Sequence, residues 1–159
     1  MNDEEALALG RAIREDDRAM RNRRAIATLA VAAAVPLGVV ALWQIGVIRR
    51  IPEPKLPYLD AEKVNGSAQA YDKFQTPDAI LGIGSMIATM GLAAMGPPKR
   101  PRLLTQILAA KIAVDVTTSA KLTIDQWTKY RAFCVWCLLS ATATFAMLPF
   151  AWNEIRSSS

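Results

Sequence analysis

Cys134 and Cys137 are the two residues of this chain whose type and spacing point most directly to chemistry. They lie in the segment YRAFCVWCLLSATATFAMLPF, residues 130–150, and they are the only thiols in a sequence that contains no histidine. Two cysteines with this spacing can close reversibly into a disulfide, but they cannot join distant parts of a fold. Four-ligand zinc binding would need carboxylates or a second chain, so we expect no metal site. The pair is therefore either a dithiol/disulfide redox couple or two buried structural thiols.

The long apolar run after the cysteines places them at the start of a predicted helix. Free backbone N–H groups and the positive end of the helix dipole stabilise a thiolate at that position. Lys129 and Arg131, just upstream, act in the same direction. These features favour the redox couple. Trp136, between the cysteines, is either an anchor at the membrane interface or one wall of a flat hydrophobic substrate site.

The composition is that of a membrane protein, since 52% of the 159 residues are apolar. The net charge of +5 raises the question of nucleic-acid binding. However, the basic residues lie beside apolar segments and form no stripe with interleaved aromatics, so we predict that the chain binds no nucleic acid. These membrane-flanking groups are Arg21, Arg23 and Arg24, then Arg49 and Arg50, and finally Lys99, Arg100 and Arg102.

Four apolar segments predict an all-α, integral-membrane four-helix bundle over residues 25–152. The expected spans cover residues 25–48, 79–95, 103–122 and 133–152. The first span exceeds the apolar core of a cleaved signal peptide, about 7–15 residues, and is expected to stay as an anchor. Residues 1–24 are predicted to be a charged cytoplasmic segment, either an amphipathic helix or a frayed tail, and residues 153–159 a cytoplasmic tail. The segment DAEKVNGSAQAY, residues 60–71, predicts a short half-helix in the first outer loop, with Asp60 as its N-cap.

The third span carries two charges, Lys111 and Asp115, well inside its length. A charge at the centre of a membrane helix costs about 2.5–3.5 kcal/mol on insertion scales, so such side chains face the bundle interior or water. Four residues apart, the two groups share one face of a helix and can pair. The pair either neutralises itself between helices or serves as a proton route or cofactor contact.

Four spans place both termini on the same side of the membrane, and the distribution of basic residues favours the cytoplasm for that side. We predict a multi-pass protein of the bacterial inner membrane, with the cysteines at the extracytoplasmic face, where thiol exchange occurs. A redox pair in that position needs a lipid-soluble two-electron acceptor. A quinone of the ubiquinone or menaquinone type fits that place as a co-substrate.

Three segments resemble the vitamin K epoxide reductase family in its bacterial, quinone-linked form. They are AFCVWCLLS at the start of the last helix, VNGSAQAY in the half-helix, and TPDAILG opening the second span. The resemblance implies a four-helix bundle around a quinone, with Cys137 facing the quinone and Cys134 exchanging with a dithiol donor. It further implies that Ser67 lies in the half-helix over the pocket and that Asp78 lies near a quinone oxygen.

The sequence departs from the family pattern in the first outer loop, which reads LPYLDAEKVNGS and lacks the usual second cysteine pair. Ala141 also stands where many members have tyrosine, and we expect no fused thioredoxin-like domain after the last span. The predicted function is therefore that of a membrane thiol oxidoreductase that accepts electrons from a separate extracytoplasmic thioredoxin-like dithiol protein. The alternative is a non-catalytic membrane subunit or assembly factor that keeps the fold. A transporter using Lys111 and Asp115 is disfavoured because the chain shows no internal repeat.

Overall fold

The computed structural model describes residues 1–14, 18–72, 75–97 and 99–157, and this part of the chain contains helices but no β-strand. The all-α prediction is confirmed. The elements are α1 (Asp3–Arg14), α2 (Arg18–Gln44), α3 (Ala61–Asn65), a 3₁₀ turn (Ala68–Tyr71), α4 (Asp78–Ala94), α5 (Arg102–Asp125), a π-helical turn (Gln126–Tyr130), α6 (Val135–Ala146) and α7 (Leu148–Ser157).

The amino-terminal segment divides between two helices. In front of α1, Asn2 and Glu5 cap each other, because the Asn2 side chain accepts from Glu5 N–H at 2.8 Å and Glu5 accepts from Asn2 N–H at 2.9 Å. No residue of α1 is buried. The boundary predicted at residues 24/25 falls inside α2, which begins at Arg18. The charged segment thus contributes its last turns to the first helix of the bundle.

The buried guanidinium of Arg23 explains why α2 extends into that charged segment. Its side chain is 1% exposed. It donates to the carbonyls at the end of α4, at 2.7 Å to Ala93, 2.8 Å to Met95, 3.0 Å to Gly96 and 2.9 Å to Pro97. The last carbonyls of a helix have no partner inside the helix. A cation there satisfies them and complements the helix dipole.

Helices α2 and α4 approach closely, and a glycine makes the approach possible. A Cβ atom added at Gly82 would lie 2.8 Å from Leu37 Cδ1. Small residues at helix contacts are typical of membrane bundles, because they let backbones come together. The buried stripe of α2 faces this contact and the rest of the bundle, and it includes Ile26, Ala30, Ala33 and Val40.

The last membrane helix is broken near its middle and runs further than predicted. α6 ends before Met147, and α7 continues as far as Ser157. Pro149 has no N–H to donate to the carbonyl of Phe145, which accounts for the break. Glu154, predicted to lie in a cytoplasmic tail, is instead 3% exposed and pairs with Arg100 at 3.4 Å. Residues 158–159 of that tail lie outside the described residues.

Two stretches of the described chain are long and apolar enough to cross a bilayer, namely Met20–Gln44 and Val135–Ser157. α4 is apolar but shorter, with 17 residues. α5 has 24 residues and carries the Lys111 and Asp115 charges in its interior. The half-helix forms where it was predicted. Asp60 is its N-cap and accepts from Lys63 N–H at 2.9 Å, which confirms the capping prediction.

Candidate active site

Cys134 is the N-cap residue of α6, so the structure places the cysteine pair at a helix start. The preceding π-helical turn ends at Arg131, which takes a left-handed conformation with φ of 50° and redirects the chain. Cys134 Sγ then accepts a hydrogen bond from Cys137 N–H at 3.2 Å. Its own N–H donates to Gln126 Oε1 at 2.9 Å. Cys134 is therefore held by a backbone N–H at its sulfur and by the Gln126 side chain at its own N–H.

Cys134 lies immediately before the membrane-spanning stretch Val135–Ser157. Hydrogen bonding from Cys137 lowers the pKa of the Cys134 thiol, although burial of the sulfur acts in the opposite direction. A thiol with a lowered pKa is both a better-populated thiolate and a better leaving group. This geometry is what a dithiol/disulfide couple requires of one of its two sulfurs.

Cys137 lies one turn further into α6 and contacts a buried asparagine. Its Sγ donates to Asn65 Oδ1 at 3.5 Å. Asn65 is held in turn by α3, since its Nδ2 donates to the Ala61 carbonyl at 2.7 Å. The sequence interpretation missed Asn65 and chose Ser67 two positions later. The available signal was a single polar amide that shares the buried side of this short helix with Ala61 and Val64.

A cavity of about 590 Å³ opens beside Cys137, between α2, α4, α5, α6 and the half-helix. Apolar side chains from all of these elements form much of its wall. The predicted residues Ser67, Asp78 and Asp115 also line it, together with Asn65. Among the described residues, neither Cys134 nor Trp136 belongs to its lining. The further apolar lining residues include Leu37, Val40, Val64, Leu81, Met86, Val114, Leu122 and Ala141.

Ser67 and Asp78 lie at the outer end of this cavity. Ser67 Oγ donates to the Val64 carbonyl at 2.9 Å, which ties the 3₁₀ turn to α3. Asp78 is the first residue of α4 and accepts from Gln44 Nε2 at 2.8 Å. The same amide group reaches the Asn65 carbonyl at 3.3 Å. Gln44 thus joins the end of α2 to both walls of the cavity.

Trp136 lies outside the cavity lining and contacts the loop between α2 and α3. Its Nε1 donates to the Pro52 carbonyl at 2.8 Å. The side chain therefore fastens the loop to α6, a role that sequence reasoning did not include.

Lys111 and Asp115 lie deeper in the bundle and belong to a four-residue network between α4 and α5. Lys111 Nζ approaches Asp115 Oδ2 at 2.6 Å and also donates to Ser85 Oγ at 2.8 Å and Thr89 Oγ1 at 3.1 Å. Both hydroxyls donate to the carboxylate, Ser85 at 2.8 Å and Thr89 at 3.0 Å. Asp115 and Ser85 line the inner end of the cavity. The two charges face the bundle interior and each other.

A second polar cluster joins the half-helix to the outer end of α5. Gln69 Nε2 donates to Asp125 Oδ2 at 2.8 Å, while Gln69 Oε1 accepts from Lys129 at 3.0 Å and from the Tyr130 hydroxyl at 3.1 Å. Lys121 completes the cluster with an ion pair to Asp125 at 2.8 Å. Gln69, Asp125 and Tyr130 all line the cavity. This cluster fixes the 3₁₀ turn over the cavity.

No group of three or more histidine, cysteine, aspartate or glutamate side chains is arranged to hold a metal ion in the part of the chain that the structure describes.

The sequence profile of the vitamin K epoxide reductase family matches residues 24–152, which include both cysteines and the whole cavity. The chain belongs to the vitamin K epoxide reductase family. This family consists of membrane-embedded helical bundles that act as thiol–disulfide oxidoreductases linked to quinones and that work with thioredoxin-like partners. The resemblance drawn from the sequence is confirmed. A search of curated protein sequences gave no match.

Membership of the vitamin K epoxide reductase family supports a quinone as the electron carrier of this chain. The matched region begins at Arg24 and ends at Trp152. It excludes α1, whose residues are all unburied and add nothing to the cavity. The site is thus contained in the part of the chain that carries the family pattern.

Proposed function

We propose that the chain oxidises an extracytoplasmic dithiol protein and passes the two electrons to a membrane quinone through Cys134 and Cys137. The observation that carries this proposal is the different placement of the two sulfurs. Cys137 lines the cavity, whereas Cys134 is the helix N-cap on the side of the outer loop. A planar, lipid-soluble acceptor can meet Cys137 in the cavity, and a protein thiol meets Cys134 from outside.

The thiol-exchange half of the cycle begins with the Cys134–Cys137 disulfide. A partner thiolate attacks Cys134 Sγ, so a mixed disulfide forms, the Cys134–Cys137 bond breaks, and Cys137 leaves as a thiolate. The second partner thiol then displaces Cys134, which releases an oxidised partner and leaves two reduced cysteines. The N–H of Cys137 at 3.2 Å stabilises negative charge on Cys134 Sγ during this step.

In the second half, the reduced pair gives two electrons and two protons to the quinone, which becomes a quinol while the disulfide re-forms. Asn65 contacts Cys137 Sγ and keeps it beside the cavity. Ser67 and Asp78, at the outer end of the same cavity, are proposed to contact the quinone oxygens. Trp136 is proposed to act on the loop side, because its indole N–H is occupied by Pro52.

We further propose that the protein spans the bacterial inner membrane with both termini in the cytoplasm. The Arg23 and Arg100 side chains lie at the end of the bundle that carries the termini. The cysteines and the half-helix lie at the opposite end, which is then extracytoplasmic. That placement gives the cysteines an oxidising compartment and a route to periplasmic dithiol proteins.

Quinone reduction by the full chain in lipid nanodiscs tests the proposal. Reduced thioredoxin-like protein or dithiothreitol supplies electrons, and short-chain ubiquinone and menaquinone analogues accept them. We expect turnover in the wild type, none above background in Cys134→Ala or Cys137→Ala, and normal turnover in Thr142→Ala, whose exposed hydroxyl only bonds its own helix. A wild-type protein that reduces quinone no faster than the two cysteine variants would instead support a non-catalytic membrane subunit.

A further inference from the structure

Cys134 is 0% exposed, although the proposed function requires a protein thiol to reach it. Cys137 is only partly buried and opens into the cavity. Cys134, which is proposed to react with the dithiol protein, is thus less accessible than Cys137, which is proposed to react with the quinone. Something on the outer face must move before exchange at Cys134 can begin.

Residues 51–60, which we call the strap, run beside the start of α6, where Cys134 lies. Ile51, at its start, belongs to the same buried cluster as Cys134 and Ala61. The strap contains Pro52, Pro54 and Pro57, which have no backbone N–H and restrict the chain to extended or turn conformations. Residues 54–58 are exposed. The contacts of the strap with the rest of the chain involve residues 51–53 and 58–60, and they include the Ile51 N–H bond to Glu62 Oε1 at 3.2 Å and the Tyr58 ring against Trp127.

Glu53 makes the central contact. One carboxylate oxygen accepts from Ala61 N–H at 2.8 Å, at the start of α3, and the other accepts from Val135 N–H at 3.4 Å, at the start of α6. Both N–H groups belong to the first residue of a helix, where the backbone supplies no acceptor and a negative charge is favoured. A single carboxylate thus fastens the strap to the helix that begins with the cysteine pair.

Two further contacts flank Glu53. The Pro52 carbonyl accepts from Trp136 Nε1 at 2.8 Å. At the other end, Leu59 and Phe133 form an isolated parallel bridge, in which Phe133 N–H donates to the Tyr58 carbonyl at 2.7 Å and Asp60 N–H donates to the Phe133 carbonyl at 3.0 Å. The α6-side partners in these two contacts, Trp136 and Phe133, both lie within three residues of Cys134.

We propose that the strap is a closure over Cys134 and that Glu53 is the positioning residue that holds it shut. A dithiol partner gains access by displacing Glu53 from the α6 N-terminus. Because Glu53 also caps α3, opening the strap loosens the helix that carries Asn65, so exposure of Cys134 is linked to the cavity wall beside Cys137. The need for a partner rests on the proposed function, whereas the closure itself does not.

Alkylation of Cys134 measures strap opening directly. The chain is placed in nanodiscs with the substitution Cys137→Ala, so that Cys134 is its only thiol. It is then treated with a membrane-impermeant maleimide, and mass spectrometry follows formation of the adduct. The reference is Lys55→Cys on a chain with both native cysteines replaced by alanine, because residue 55 is exposed on the strap itself. We expect Cys134 to react at least about 100-fold more slowly than the reference, as for a site reached by local opening.

Glu53→Ala removes both acceptors and is expected to raise the Cys134 alkylation rate by about tenfold, the usual effect of losing a charge-assisted hydrogen bond. Glu53→Gln keeps one acceptor oxygen and should give a smaller increase, a graded rescue that a general loss of folding would not produce. Lys55 is an exposed strap residue for which the described part of the chain shows no bond to α6. Lys55→Gln should therefore leave the Cys134 alkylation rate unchanged. Trp136→Phe keeps the ring but loses the bond to Pro52, and it should also accelerate labelling if Glu53→Ala does not fold.

The closure is refuted if wild-type Cys134 reacts as fast as the exposed reference thiol. It is equally refuted if folded Glu53→Ala and Trp136→Phe both label at the wild-type rate. Alkylation needs neither quinone nor partner, so these results stand whether or not quinone reduction is observed. Conversely, an absence of quinone reduction would not change the measured alkylation rates. The proposed function and the proposed closure can therefore be refuted independently.

Discussion

Replacing Asp115 with asparagine removes the negative charge that faces Lys111 inside the bundle. The carboxylate receives three donors, from Lys111, Ser85 and Thr89, at 2.6–3.0 Å. Breaking a fully buried ion pair by removing one partner costs about 3–5 kcal/mol. The Lys111 side chain retains 23% exposure, which allows some screening, so we expect a loss of about 2–3 kcal/mol in the free energy of unfolding.

Reversible unfolding in mixed micelles measures this loss, and a double-mutant cycle isolates the pair. Lys111→Met alone leaves the carboxylate buried without its cation and should cost a similar amount. The combined variant Lys111→Met/Asp115→Asn carries no charge at the site, so its loss should be smaller than the sum by about 2 kcal/mol. Single losses that add to within about 0.5 kcal/mol would refute the view that the two charges neutralise each other.

The same double variant separates the two roles considered for this pair. If Lys111 and Asp115 only neutralise each other, the folded double variant should reduce quinone at the wild-type rate. A double variant that folds but no longer reduces quinone would identify a proton route or a cofactor contact instead. Because Lys111→Met and Asp115→Asn both replace a charged side chain by a neutral one of similar size, a packing defect contributes little to the rate or the stability of the double variant.

Two further predictions concern packing and the cavity. Gly82→Val places a side chain against Leu37 Cδ1, 2.8 Å from the added Cβ, and should lower the free energy of unfolding by about 1–3 kcal/mol. Gly84→Val is the matched control in the same unfolding assay, because a Cβ atom added there meets nothing within 4 Å. Asn65→Ala removes the amide that contacts Cys137 Sγ and should reduce kcat/KM for quinone by about tenfold. As a control, alkylation of the unfolded variant should find the same number of free thiols as in the unfolded wild type.

The sequence was sufficient where the signal was local. The spacing of Cys134 and Cys137 before an apolar run predicts a helix start, and the structure has Cys134 as the N-cap. Asp60 was predicted as an N-cap from the residues beside it and is one. A four-residue separation likewise brings Lys111 and Asp115 onto one face, where they meet. In each case the partners are fewer than five residues apart.

Contacts between distant segments are what the sequence did not reveal. Arg23 reaches carbonyls 70 to 74 residues away, and Glu53 reaches the Val135 N–H 82 residues away. The sequence alone treats both as surface charges beside apolar spans. The burial of Glu154 against Arg100 was missed for the same reason. The packing of α2 and α7 against the other helices places Arg23 and Glu154 in the interior, and the course of the strap brings Glu53 to the start of α6.

A single-turnover reaction between the reduced chain and quinone tests the central claim most directly. Chemically reduced protein in nanodiscs, freed of reductant, is mixed with one equivalent of a short-chain quinone, and quinol absorbance is followed together with the mass of the CxxC peptide. We predict that one quinol forms for each Cys134–Cys137 disulfide and that Cys137→Ala does not react. Free thiols that persist beside unreduced quinone, or quinol that forms equally well in Cys137→Ala, would contradict it.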